Sequence, residues 1–298
     1  MKRINYNNNK MVKTLLNKDI CSIIGKIYYN YNKRYELLDW IDKSKINYML
    51  LSGNKNAVDF LKENPEKINW NYLSLNPNAI ELIKKNPEKI NWRFLCMNKN
   101  AIELIKENPD KIDWETLSSN ENAIELLKEN PEKINWNYLS MNKNAIELIK
   151  ENINKINWRF LLNNKNSKVI EILKENPDKI DWEILSFNKN GIEMLKENPD
   201  KIDWETLSFN KNGIELLKEN PEKIDWDYLC MNKNAIDILK ENPEKINWRC
   251  LSRNEGAIEL LKENQDKIDW NEFSKNKSIF VKIDNKKELT NIIIKALT

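Results

Sequence analysis

The chain of 298 residues contains no histidine. That removes imidazole acid–base catalysis, Ser–His and Cys–His nucleophile pairs and most zinc sites. Glycine is scarce: Gly25, Gly53, Gly191, Gly213 and Gly256 are all there are. No two lie close enough to form a phosphate-cradling loop. The four cysteines, Cys21, Cys96, Cys230 and Cys250, show no Cys-x-x-Cys spacing. They read as reduced, buried thiols in a cytosol-like compartment. Apolar runs such as Ile292–Ile294 fall far short of the ~20 residues of a membrane span. The N-terminus is polar (Asn7, Asn8, Asn9) and has no signal-peptide core. These absences predict a cytoplasmic protein that is neither secreted nor membrane-bound, needs no metal or cofactor, and is not an enzyme.

What the chain has is a period. Trp70, Trp92, Trp114, Trp136 and Trp158 are each 22 residues apart. After one step of 24, Trp182, Trp204, Trp226, Trp248 and Trp270 resume the count, and Tyr48 precedes the series by 22. Self-similarity at this period means a stacked array that grows by adding units. Eleven units follow. Lys stands three before each anchor and Ile two before it, while Asn stands six after. Leu stands three after, except that Phe273 replaces it in the last unit. Invariance between copies is a packing statement, because each copy meets identical neighbours.

Each unit reads as two short helices. The first starts at an Asn or Asp before the Trp, such as Asp113, which is a good N-cap. It runs through Trp114 and Leu117 and closes in a turn at Asn120. The second is expected to start at Asn100, with Glu103 completing a capping-box-like pair. Ala101, Leu104 and Ile105 share its apolar face. Asn108-Pro109 ends it, and eight of the nine prolines occupy this position. Helices this short do not stand alone in water. Stacking must hold them, with the Trp ladder expected in the core. The predicted fold is an all-α solenoid of about eleven 22-residue two-helix repeats. A strand-based, leucine-rich-repeat-like solenoid is the alternative; the missing Leu-x-Leu alternation argues against it.

The expected domains are a helical cap over 1–34, the array over 35–276 and a capping helix over 277–298. Ten stacking steps give a stiff, curved frame with a length of very roughly 90 Å. The 24-residue step at Asn163–Val169 is a candidate bend. Charge is uneven. Residues 1–48 carry 10 Lys/Arg and 4 Asp/Glu, residues 271–298 carry 6 and 3, and the repeats between them 33 and 39. A slightly acidic array is a poor template for phosphate backbones.

Positions one, two and five after the anchor vary between units. They hold the candidate partner-binding residues: Tyr72, Arg93, Phe94, Met97, Tyr138, Met141, Arg159, Phe160, Phe187, Phe209, Tyr228 and Met231. A row mixing aromatic, Met and Arg side chains is what an interface looks like. The competing reading is that the aromatics pack between units and the charges are solvated.

The string Asn130-Pro131-Glu132-Lys133-Ile134-Asn135-Trp136, with Leu-Ser-x-Asn and Asn-Ala-Ile-Glu-Leu around it, resembles uncharacterised tandem-repeat proteins of giant double-stranded DNA viruses. Trp40-Ile41-Asp42 resembles the start of those arrays. The resemblance covers roughly residues 35–276. It implies a viral source and short-helix repeats, and no activity or functional residue. Leu16-Asn17-Lys18-Asp19-Ile20, followed by Ile24, resembles the first helix of F-box segments, where proline usually stands at the place of Asn17. The expected function is a monomeric, non-enzymatic scaffold that binds another protein through its variable row. A nucleic-acid-binding repeat protein and an F-box-like adaptor for ubiquitin ligation are the alternatives, with nucleic acid disfavoured by charge.

Overall fold

Every first helix of the array begins the same way. In the computed structural model, which describes residues 35–282, the Asn or Asp before each anchor caps the helix by accepting a backbone N–H with its side chain. Asp113 accepts from Thr116 and Asn69 from Tyr72, and all eleven copies do the equivalent. The anchor opens a helix of one turn or slightly more, such as Trp92–Met97. A second short helix follows, such as Ile102–Lys106, then a 3-10 turn over Pro109–Lys111. The molecule is an all-α solenoid of 22-residue units.

The second helices are not capped as the sequence suggested. Their N-cap residue is Ala101 or its equivalent, with no side-chain cap bond, and Glu103 pairs instead with Lys106 at 3.5 Å. Asn100 reaches the preceding unit, its Nδ2 donating to the Pro77 carbonyl at 2.7 Å. At the other end of the helix the Asn before proline closes it, Asn108 Nδ2 donating to the Leu104 carbonyl at 2.9 Å.

The core also differs from expectation. The fully buried apolar side chains stand three, nine and thirteen after the anchor, as in Leu95, Ala101 and Ile105. The tryptophans are only half-buried in every unit. In some units the exposed face meets the invariant lysine of the next unit: Lys89 Nζ lies 4.8 Å from the Trp70 ring centre and Lys267 Nζ 4.5 Å from that of Trp248, whereas Lys111, Lys179 and Lys201 pair with the preceding Asp. Where it forms, this cation–π contact gives the lysine at that position a partner in the neighbouring unit.

Units are joined by buried amides. Asn98 Nδ2 donates to the carbonyls of Ser74 and Asn76, and its Oδ1 accepts from the Asn100 backbone. The Ser four after the anchor adds a second bridge. Ser74 Oγ donates to the Trp70 carbonyl and accepts from the Asn91 N–H of the next unit. Cys96 and Cys230 take this place in two units, accepting the N–H at 3.4 and 3.3 Å. Burial pushes both thiols up, Cys230 to about 11. The cysteines of the described residues are free. The 24-residue step does not interrupt the amide ladder, since Asn188 Nδ2 still donates to Leu162 and Asn164 carbonyls. The two extra residues are absorbed ahead of a longer second helix, Val169–Glu175.

The array closes on itself. Asn47 N–H donates to Ser274 Oγ at 2.9 Å, Asn54 Nδ2 to the Asn276 carbonyl at 3.1 Å, and Asn56 Nδ2 to the Lys277 carbonyl at 3.0 Å. Lys45 Nζ lies 5.1 Å from the Trp270 ring centre. The amide contacts repeat those between neighbouring units elsewhere, as Asn76 to Asn54 and Asn78 to Lys55, and the Ser and Lys contacts repeat those of Asn69 with Ser52 and Lys89 with Trp70. The repeat body, Trp40–Ile279, is therefore a ring and not an open frame. The eleventh unit supplies a first helix, Trp270–Ser274, and a 3-10 turn, Lys277–Ile279. Its second helix is missing among the described residues, and the 3-10 turn Lys43–Lys45 leads the first unit onto it. Trp40 packs on Phe273 with ring centres 5.7 Å apart, so the larger Phe fills the junction. The expected capping helix over 277–298 does not begin at 277. A strand, Phe280–Lys282, follows the turn and pairs antiparallel with Tyr35–Leu37, Leu37 opposite Phe280. The caps expected over 1–34 and beyond 282, and the F-box-like segment, lie outside the described residues.

Candidate functional site

Adjacent first helices pack against one another, while adjacent second helices approach far less closely. The amide and serine bridges all flank the first helix. In a closed ring the side of closest approach is the inner side, so the first helices line it.

Residues one, two and five after the anchor are the ones the first helix leaves uncovered, since those three and four after it are buried. The variable row therefore runs around the inside of the ring. Tyr72, Met97, Phe160 and Phe187 are exposed, as are Arg93 and Arg159. Phe94, Tyr138, Met141, Phe209, Tyr228 and Met231 are half-buried. Both readings of the row hold in part. Tyr138 stacks on Phe160 at 6.5 Å and Phe187 on Phe209 at 5.0 Å, nearly parallel, so these aromatics do pack between units. Thr116 and Thr206 use the same position to donate to the preceding unit. Yet the stacked rings keep a face toward solvent. Arg93 lies 4.0 Å from Glu115 in an exposed pair, which contributes little.

Charge along the inner side is sorted by position. Ahead of the first helix stand the caps Asp181, Asp203 and Asp225, and just after their anchors Glu183, Glu205 and Asp227. Their field is felt at Tyr228, whose phenol is pushed up chiefly by the Glu205 charge. Beyond the helix end, seven after the anchor, stand Lys165, Lys189, Lys211 and Lys233 in four consecutive units. Counting charge by segment hid this separation. Counting by position in the repeat would have found the lysines, which were missed as site residues.

A cavity of about 640 Å³ opens on this basic edge. It spans six consecutive units, Leu162 to Lys277, and its lining includes Phe187, Phe209 and Met231. Among the described residues no group of His, Cys, Asp and Glu is arranged to hold a metal ion, and no helix is long and apolar enough to cross a membrane. No protein-family model, no curated protein and no solved structure matches the chain.

Proposed function

We propose that the chain is a non-enzymatic ring scaffold that binds another protein against its inner row. The distribution of exposed apolar surface carries the reading. Among the described residues eight large hydrophobic side chains are exposed, and six of them, Met49, Tyr72, Leu75, Met97, Phe160 and Phe187, fall on the three variable positions. Clustered exposed apolar side chains mark interaction sites. Carboxylates recur in every unit as caps and solvated faces, which suits a frame better than a reaction centre. Closure supports a monomer, because the apolar end faces of an open solenoid cover each other here. Free, buried cysteines support a cytoplasmic location.

The test is a variant with Leu75, Met97, Phe160 and Phe187 all replaced by Ser, purified beside the unaltered chain from the same producing cells. The helical circular-dichroism spectrum should be retained and a stoichiometric protein partner lost. A partner that survives the four substitutions, or no protein partner for the unaltered chain, refutes the reading.

A further inference from the structure

The basic edge of the inner side is electrostatically unmet. Its cavity is lined by Lys165, Lys189, Lys211, Lys233 and Arg253, with Lys275 and Lys277 beyond them. Glu255 is the one carboxylate among the lining residues, and it is already paired with Lys277 at 3.2 Å. Lys275 is held by Glu272 at 2.7 Å. The other five cations have no ion pair among the described residues. At two other places on the same row a carboxylate pairs with the lysine of the next unit, Glu121 with Lys143 at 2.8 Å and Glu255 with Lys277. Over the units of Trp158 to Trp226 no carboxylate stands on the row.

Lysine at this position is not required by the fold. Pro77, Glu121 and Glu255 occupy it in other units, and the backbone carbonyl there accepts from the next unit whatever the side chain: Pro77 from Asn100, Glu121 from Asn144. Satisfaction of the helix end does not explain the run either, since these lysines stand beyond the helix. Four like charges on adjacent steps of a concave wall repel one another, and a concave wall focuses their field. Beside them Phe187 and Phe209 stack at 5.0 Å and present an apolar flank. A ligand that fits must be strongly anionic, and compact enough for a cavity of about 640 Å³.

We propose that this concavity binds a compact, polyphosphorylated small molecule, with the ammonium groups of Lys165, Lys189, Lys211 and Lys233 on its phosphates and its body against Phe187. Phosphate fits better than carboxylate because each group brings up to two charges and three acceptor oxygens to ammonium donors free to turn toward them. The assignment shares Phe187 with the protein-binding reading but rests on the lysine edge, and the lysine variants test it without touching the four residues of the Ser variant.

The full chain is titrated calorimetrically with inositol hexakisphosphate as probe at about 0.1 M salt. One equivalent should bind, the melting temperature should rise, and affinity should fall steeply with added salt. Lys189→Gln with Lys211→Gln should weaken binding at least about tenfold. Lys62→Gln with Lys84→Gln, on exposed second helices, should leave it unchanged. A polyglutamate peptide of equal charge should bind much more weakly. The proposal is overturned by no binding at millimolar probe, by equal losses in the two double variants, or by polyglutamate binding as well as the phosphate compound.

Discussion

Asparagine is the residue on which this molecule depends most. Asn142 is buried, donates from Nδ2 to the Ser118 and Asn120 carbonyls at 3.2 and 2.8 Å, and accepts from the Asn144 backbone at 3.0 Å. Replacing it by Ala removes all three bonds and takes the amide donor from the Ser118 and Asn120 carbonyls. Asn142→Ala should cost about 2–4 kcal/mol in urea unfolding. Asn144→Ala, at an exposed position with one comparable amide bond to Glu121, should cost under about 1 kcal/mol. Similar losses for both would show that burial does not set the value of the amide. The invariance of the Asn six after the anchor was legible in the sequence, but its role was not. Asn100 looks like a cap because its neighbours in sequence look like a helix start, whereas its partner is 23 residues away. The half-buried Trp was misplaced for a related reason. Size and repetition suggested core, but the invariant Lys and the Trp it covers belong to different units.

At the scale of the element, the first helix was read correctly because its signals are local: an Asn or Asp cap, an anchor and a buried Leu within one turn. The second helix obeys a packing constraint instead. Nine residues after the anchor stands Ala in most units, and Gly191 or Gly213 in two. A Cβ on Gly213 would lie 2.8 Å from Leu207 Cδ1 and 3.1 Å from the Leu207 carbonyl oxygen. The side chain can turn aside, but the carbonyl is fixed in the helix end. Gly53 is open by comparison, with nothing nearer than 3.7 Å to an added Cβ and no positive φ. Gly213→Ala should therefore destabilise by about 1–3 kcal/mol. Gly53→Ala should stabilise by about 0.4–1 kcal/mol through the unfolded chain. Thermal melts of the two variants decide this, and a stabilised Gly213→Ala would mean that neighbouring units relax freely. The sequence has Ala at this position in most units and Gly in two adjacent ones, without showing how near the Leu carbonyl lies.

At the scale of the whole molecule, closure was the feature the sequence did not disclose. Periodicity fixes the neighbour of each unit but not the turn per step, and that turn alone decides between an open frame and a ring. The hints were the atypical ends: Tyr48 where Trp is the rule and Phe273 where Leu is. Each reads equally well as a cap. In the ring they are the two sides of one junction, where Asn54 and Asn56 continue both amide ladders onto Asn276 and Lys277. A closed array has no fraying end unit, so its units should unfold together and not from the termini inward. Spin labels measure closure directly. Ser is the usual residue where Cys96 and Cys230 stand, so a background with all four cysteines replaced should fold. In it, labels at positions 55 and 277 should be separated by the same distance as labels at 143 and 165, which are one unit apart. An open array would place the first pair at opposite ends, and a broad or undetectably long distance for that pair would exclude the ring.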